Sequence, residues 1–267
     1  GRGTKEGAEW QAWYQFGDFR PYYRTQSRFT CQYTGRSVYL PSALMRLCWN
    51  ALELEEDTIE ILEMAPLDRG ITREIAKSFG VDHPKDAESK VDLVMTTSMI
   101  VKKRRDGQIV REPIQCENLS SLERYGSIED LQIQNEYWRR HGQKLRLFTG
   151  SEGCISKAMA RNIDTLANHR LPQADPPEHP GQFSLRCDRV LATLMSASGG
   201  STLTEWAHLA SPSVQLEPPR IIDALLHLIA MRRVYIDLDA GPVMRTSVDQ
   251  AVRSTLARAT PLTGAAT

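Results

Sequence analysis

The chain has 267 residues, and its 33 Lys and Arg balance 33 Asp and Glu to a formal net charge of zero. With 41% hydrophobic and 25% charged residues it has the composition of a soluble globular protein, long enough for two domains. The charge balance excludes a globally basic nucleic-acid binder and leaves only local basic patches. No apolar run approaches the roughly 18 residues needed to cross a bilayer.

The opening residues, GRGTKEGAEW, carry no apolar stretch like that of a secretory leader. Five cysteines (Cys31, Cys48, Cys116, Cys154, Cys187) are scattered without any C-x-x-C pair. Together these point to the cytoplasm and away from structural zinc. Residues 10–39 interleave rings and bases, among them Trp10, Tyr14, Phe19, Arg20, Arg24, Arg28, Phe29 and Arg36. Arginines neutralise phosphates and rings stack on bases, so this is either a DNA-contacting arm or a β-rich edge packed on the first domain.

Ser42–Leu54 reads as a helix with a stripe of Leu44, Leu47, Cys48 and Leu52, beside which lies Met45. Thr58–Met64 alternates like a strand, and Ile71–Phe79 is a short helix stopped at Gly80. Val91–Asn118 is the central feature, a hairpin turning at Asp106-Gly107, where two positive φ angles are needed. Lys102, Lys103, Arg104 and Arg105 lie near its tip, either gripping a phosphate backbone or simply solvated. In the second arm Gln115 and Glu117 share one face while Cys116 points the other way. That polar pair is either the floor of a cleft or a strand end emerging into solvent.

Ser127 and Asp130 form a capping-box-like start to a helix running to about His141 and ending at Gly142. Arg139, Arg140, Lys144 and Arg146 surround that end, where cations suit the helix dipole. Lys144–Thr149 is a further strand and Ile155–Leu166 a further helix. A domain over residues 1–168 is therefore expected, a mixed sheet flanked by helices. A proline-rich linker follows at 169–182. Over 183–250, three helices precede two short strands, VYIDL and PVMRT, the outline of a winged helix. The Ala/Thr-rich stretch 251–267 reads as a flexible tail.

Several segments, in order from about Tyr33 to Leu166, resemble the TnsA endonuclease subunit of heteromeric bacterial transposases. They are TGRSVYLPSALMR, TIEILEMAPL, TREIAKSFGVDHP, VMTTSMIV, PIQCEN, LQIQNEYWRRHG and RNIDTL. The region with DALLHLIAMRRVYIDLDAGPV is similar to the helical, winged domain that follows in that family. The resemblance implies a restriction-endonuclease-like PD-(D/E)xK core and DNA, namely transposon ends, as substrate. It also implies as partners a DDE transposase (TnsB-like) and an AAA+ regulator ATPase (TnsC-like), with no membrane.

Against the family pattern, Met45 stands where a glutamate is usual and Ser98 where an aspartate is. Gln115 is kept, Glu117 replaces the lysine, and Gln134 stands where an acid is frequent. Carboxylates are needed to hold Mg²⁺ at about 2.0–2.1 Å and the ion to activate water. The degenerate positions Met45, Ser98, Gln115, Glu117 and Gln134 therefore predict a non-catalytic DNA-binding and assembly subunit. No metal or cofactor is expected unless the site has been rebuilt to take Mg²⁺. A second, intact TnsA-like subunit then supplies the cut. The other readings are an active metal-dependent nuclease with a rearranged site, and a winged-helix DNA-binding regulator.

Overall fold

A computed structural model describes residues 1–15, 18, 26–31, 34–123, 125–170 and 180–259. The chain divides into two compact units, Gly1–Cys154 and Ile155–Thr267.

In the first unit, β1 (Ser27–Thr30) and β2 (Ser37–Leu40) form an antiparallel pair with Phe29 opposite Val38. Helix α1 (Ala43–Leu54) follows, its first turn capped by the Ser42 side chain, which accepts from the Met45 amide. Then come β3 (Thr58–Pro66) and α2 (Arg69–Phe79), the latter capped by Asp68 and ended by Gly80 at φ 68°. The hairpin of β4 (Thr96–Arg105) and β5 (Gln108–Cys116) turns with Asp106 at φ 50° and Gly107 at φ 76°. A short α3 (Leu119–Leu122), α4 (Tyr125–Arg140) and β6 (Arg146–Phe148) complete the unit.

The sheet order is β3-β4-β5-β6, antiparallel except for the parallel β5–β6 pair. This is the expected mixed sheet flanked by helices. Its interior includes Met99, Val101 and Ile114. Ile133, Tyr137 and Trp138 of α4 pack with Ile75 and Ala76 of α2, and the Trp138 indole donates to Thr97 Oγ1 at 2.8 Å. The first hairpin arm enters the ladder only at Thr96, since Val91–Met95 makes no ladder with β3 or β5. In the 10–39 region, Trp10 packs with Leu62 and Ala65, and Phe29 meets Trp49 edge-on. Arg20 and Arg24 lie outside the described residues.

The second unit is helical: α5 (Lys157–Ala167), α6 (Pro180–Met195), α7 (Leu203–Val214), α8 (Pro218–Ala230) and α9 (Val248–Ala259). Ile221, Ala224, Leu225 and Leu228 of α8 form its most buried stripe. Thr202 and Glu205 close a reciprocal capping box on α7. Helix α5 belongs to this unit, whereas the sequence placed it in a first domain ending at 168. The linker proposed for 169–182 lies largely outside the described residues. The supposed tail is helical through Ala259, because Val248, Ala251 and Thr255 recur on one buried face.

The two strands expected at VYIDL and PVMRT do not form. Asn162, reaching from α5, occupies the backbone groups that a hairpin needs. Its amide nitrogen donates to the carbonyls of Leu238 (2.8 Å) and Gly241 (2.7 Å), and its oxygen accepts from the Val243 amide at 3.2 Å. Residues Val243–Arg245 then turn as a 3₁₀ helix, and only an isolated bridge joins Thr202 to Ser247.

The cysteines are free: Cys31, Cys48 and Cys187 are buried, Cys116 half-buried and Cys154 exposed.

Replacing Asn162 with alanine orphans those three backbone groups, and the second unit should lose about 2 kcal/mol or more. Urea unfolding followed by circular dichroism checks this; a midpoint equal to that of the unaltered chain would remove Asn162 as the organiser of the loop.

Candidate functional site

The regular β4–β5 ladder stops at Met99 opposite Ile114. Beyond it the next rung is made by side chains. Gln115 Oε1 accepts from the Ser98 amide (2.9 Å) and from Ser98 Oγ (3.2 Å), while Ser98 Oγ accepts from the Cys116 amide at 3.0 Å. Gln115 Nε2 in turn donates to Glu117 Oε1 at 3.0 Å. Ser98 and Gln115 are buried and Glu117 half-buried, so the chain of bonds runs from the sheet interior outward. On the other side of the strand, the hydrogen bond with the neighbouring Cys48 thiol, with burial, pushes the Cys116 thiol up.

This outward end opens into a cavity of about 190 Å³. One wall carries Gln115 of β5 and Glu117 just beyond its end; the wall from α4 carries Ser127, Asp130, Leu131 and Gln134. These four α4 residues are spaced i, i+3, i+4 and i+7, which places them on one helix stripe. Burial, with the charges of Glu117 and Glu129, pushes the Asp130 carboxyl up to about 6. Gln134 is buried, and its Oε1 finds no hydrogen-bond partner among the described residues.

The structure thus gathers Gln115, Glu117 and Gln134 around one cavity, while Ser98 is bonded to Gln115 but does not itself line it. Met45 is buried in α1, but it is not among the residues lining that space. Asp130 is the residue that sequence reasoning missed. It was read as a helix-start cap, yet α4 begins at Tyr125, ahead of Ser127, and Asp130 faces the cavity from the second turn. Its i+4 spacing to Gln134 was the available signal. Among the described residues, no group of three or more His, Cys, Asp or Glu side chains is placed to hold a metal ion. Glu117 and Asp130 are the carboxylates within the cavity's reach.

Over 166 residues the chain is 30% identical to the transposon Tn7 transposition protein TnsA of Escherichia coli, a match covering 62% of this chain and 59% of that protein. Over that stretch the chain is similar to TnsA. It spans less than two thirds of that relative's length. No protein-family model matches it. No helix among the described residues is long and apolar enough to cross a membrane.

The cations proposed for DNA contact fare unequally. Arg36 is buried and locked against Glu63, with both guanidinium nitrogens at 2.6 Å from the carboxylate and a further bond to the Ile61 carbonyl. Lys102 is buried between Glu6 and Glu60, and Lys103 among Glu55, Asp57 and Glu112. These three are therefore corrected from surface contacts to internal ion pairs. Strand alternation turns the lysines toward acids of β3, β5 and the turn before β3, which a count of basic residues along the hairpin does not reveal. Arg105 is half-exposed and shared by Asp57 and Glu112, while Arg28 and Arg104 are exposed.

Two outcomes follow. Arg36→Ala strands the buried Glu63 carboxylate and should cost about 3–5 kcal/mol in denaturant unfolding; a loss below about 1 kcal/mol would show that water reaches Glu63. The folded Asp130 carboxyl, at about 6, holds its proton more tightly than the ordinary 3.8. Between those values the folded state binds more protons, so stability falls as pH rises from about 4 to 6. Asp130→Asn should abolish that fall. Glu117→Gln should lower the Asp130 pKa, read by carboxyl carbon NMR, and an unmoved titration would show that the two groups do not interact.

Proposed function

We propose that the protein is a TnsA-like transposition subunit that binds DNA and assembles partners, and whose nuclease-fold unit has lost its metal-dependent cutting chemistry. The observation that carries this reading is the bonded chain Ser98–Gln115–Glu117. It stands where the resemblance implies a metal-binding aspartate, a glutamine and a catalytic lysine. Ser98 supplies a neutral hydroxyl already bonded on both sides, and Gln115 commits its oxygen to Ser98. Glu117 adds negative charge beside Asp130, and no Lys or Arg is among the residues lining the cavity. Met45 offers no oxygen ligand. These residues do not fit the Mg²⁺ site of an intact member, so no hydrolytic step is derived through one.

The remaining role is assembly on transposon ends, with a DDE transposase, an AAA+ ATPase and a second, intact TnsA-like subunit as partners in the cytoplasm. Asp130 favours a second reading, a metal-dependent nuclease with a displaced site, because it places a second carboxylate beside Glu117 and the unpartnered Gln134 oxygen.

A supercoiled plasmid bearing transposon ends, incubated with all partners and Mg²⁺ or Mn²⁺, separates the two. The expected result is no nicking attributable to this chain. Nicking that disappears with Glu117→Ala or Asp130→Ala would overturn the non-catalytic reading in favour of the displaced site. Restoring Met45→Glu, Ser98→Asp and Glu117→Lys together is expected to bring cleavage back.

A further inference from the structure

Below the hairpin tip, at the open edge of β5, lies a groove of about 460 Å³ whose lining includes Arg105, Arg111, Lys144 and Arg146. Strand β6 pairs with β5 only at Ile114–Cys116, so the groove occupies the edge that this short strand leaves uncovered. Among the described residues, Lys144 and Arg146 are exposed and make neither an ion pair nor a side-chain hydrogen bond.

The helix dipole explains Arg139 and Arg140, which sit in the last turn of α4 and bind Glu136 and Glu74. It does not explain Lys144 and Arg146, which lie beyond Gly142 and face the groove. Arg111 is held only by Glu6, in a pair half-exposed on both sides. Such a pair exchanges readily for another anion. Glu112 is the one acid in the lining, and its charge is engaged by Lys103 and Arg105.

We propose that this groove seats the phosphate backbone of DNA. The assignment rests on the DNA-binding role proposed above and adds to Arg105 of the hairpin tip three cations that the tip and arm readings did not name, Arg111, Lys144 and Arg146. The cations come from β4, β5, the loop after α4 and β6, and are strung along an open groove instead of converging on one point. That distribution suits a chain of phosphates better than a single small anion. Guanidinium forks match phosphate oxygens, and contacts of this type fix register without reading sequence. The groove and the cavity share no lining residue, so the groove is a separate surface.

The test is fluorescence anisotropy of a labelled DNA duplex against the full chain across roughly 50 to 200 mM salt. Lys144→Glu with Arg146→Glu should weaken binding roughly tenfold or more at low salt and make the log–log slope less negative by about 2. The glutamine pair, Lys144→Gln with Arg146→Gln, should move both in the same direction and guards against misfolding of the reversed variant. Arg139→Glu with Arg140→Glu makes the same charge change outside the groove and should leave the slope near that of the unaltered chain. Equal losses from both pairs, or none from the groove pair while the unaltered chain still binds, would overturn the groove and leave the DNA-binding role standing. No binding by the unaltered chain at low salt would overturn both. Displacement by poly-glutamate more readily than by unlabelled duplex of equal charge would reassign the groove to an acidic protein segment.

Discussion

The bonds between Ser98 and the Gln115 amide mark where the β4–β5 ladder stops and the cavity begins. A regular ladder beyond Met99 and Ile114 would pair main chain with main chain and draw β4 and β5 together. Instead a side-chain oxygen takes the Ser98 amide, and the Ser98 hydroxyl takes the Cys116 amide. The Ser98 and Cys116 amides, the Ser98 hydroxyl and the Gln115 side chain are all bonded, so the departure from the ladder costs little. Glu117 is thereby directed to the cavity rim, where its charge meets Asp130.

The same economy appears among the charges. Arg36, Lys102 and Lys103 are buried, and each meets at least one carboxylate. An arginine or lysine that looks available in the sequence is thus often internal, and a zero net charge hides a segregated distribution. Lys144 and Arg146, which make no ion pair among the described residues, lie at the edge of β5, and no Lys or Arg is among the residues lining the acidic cavity.

Local rules were readable wherever one stretch of chain satisfied its own demands. Asp106-Gly107 supplied both positive φ angles of the hairpin turn, and Gly80 ended a helix. The parity argument placed Gln115 and Glu117 together, and their side chains are bonded. What was not readable depended on distant partners. The wing failed because Asn162, far back in the chain, claimed the carbonyls of Leu238 and Gly241. The cavity role of Asp130 was hidden by a plausible cap, since the true start of α4 follows from the preceding α3. Val248 and Ala251 gave too weak a periodic signal, in an Ala/Thr-rich stretch, to announce a packed helix.

The uneven burial of the thiols has a practical side. Cys154 is exposed, and hydrogen bonds from Thr149 and Ser151 hold its thiol below the usual range, which favours the reactive thiolate. Cys116 and Cys187 are pushed the other way, and Cys31 and Cys48 are buried. A maleimide dye should therefore add first at Cys154, the last residue of the first unit. That gives a single optical handle beside the junction of the two units, placed without altering any residue.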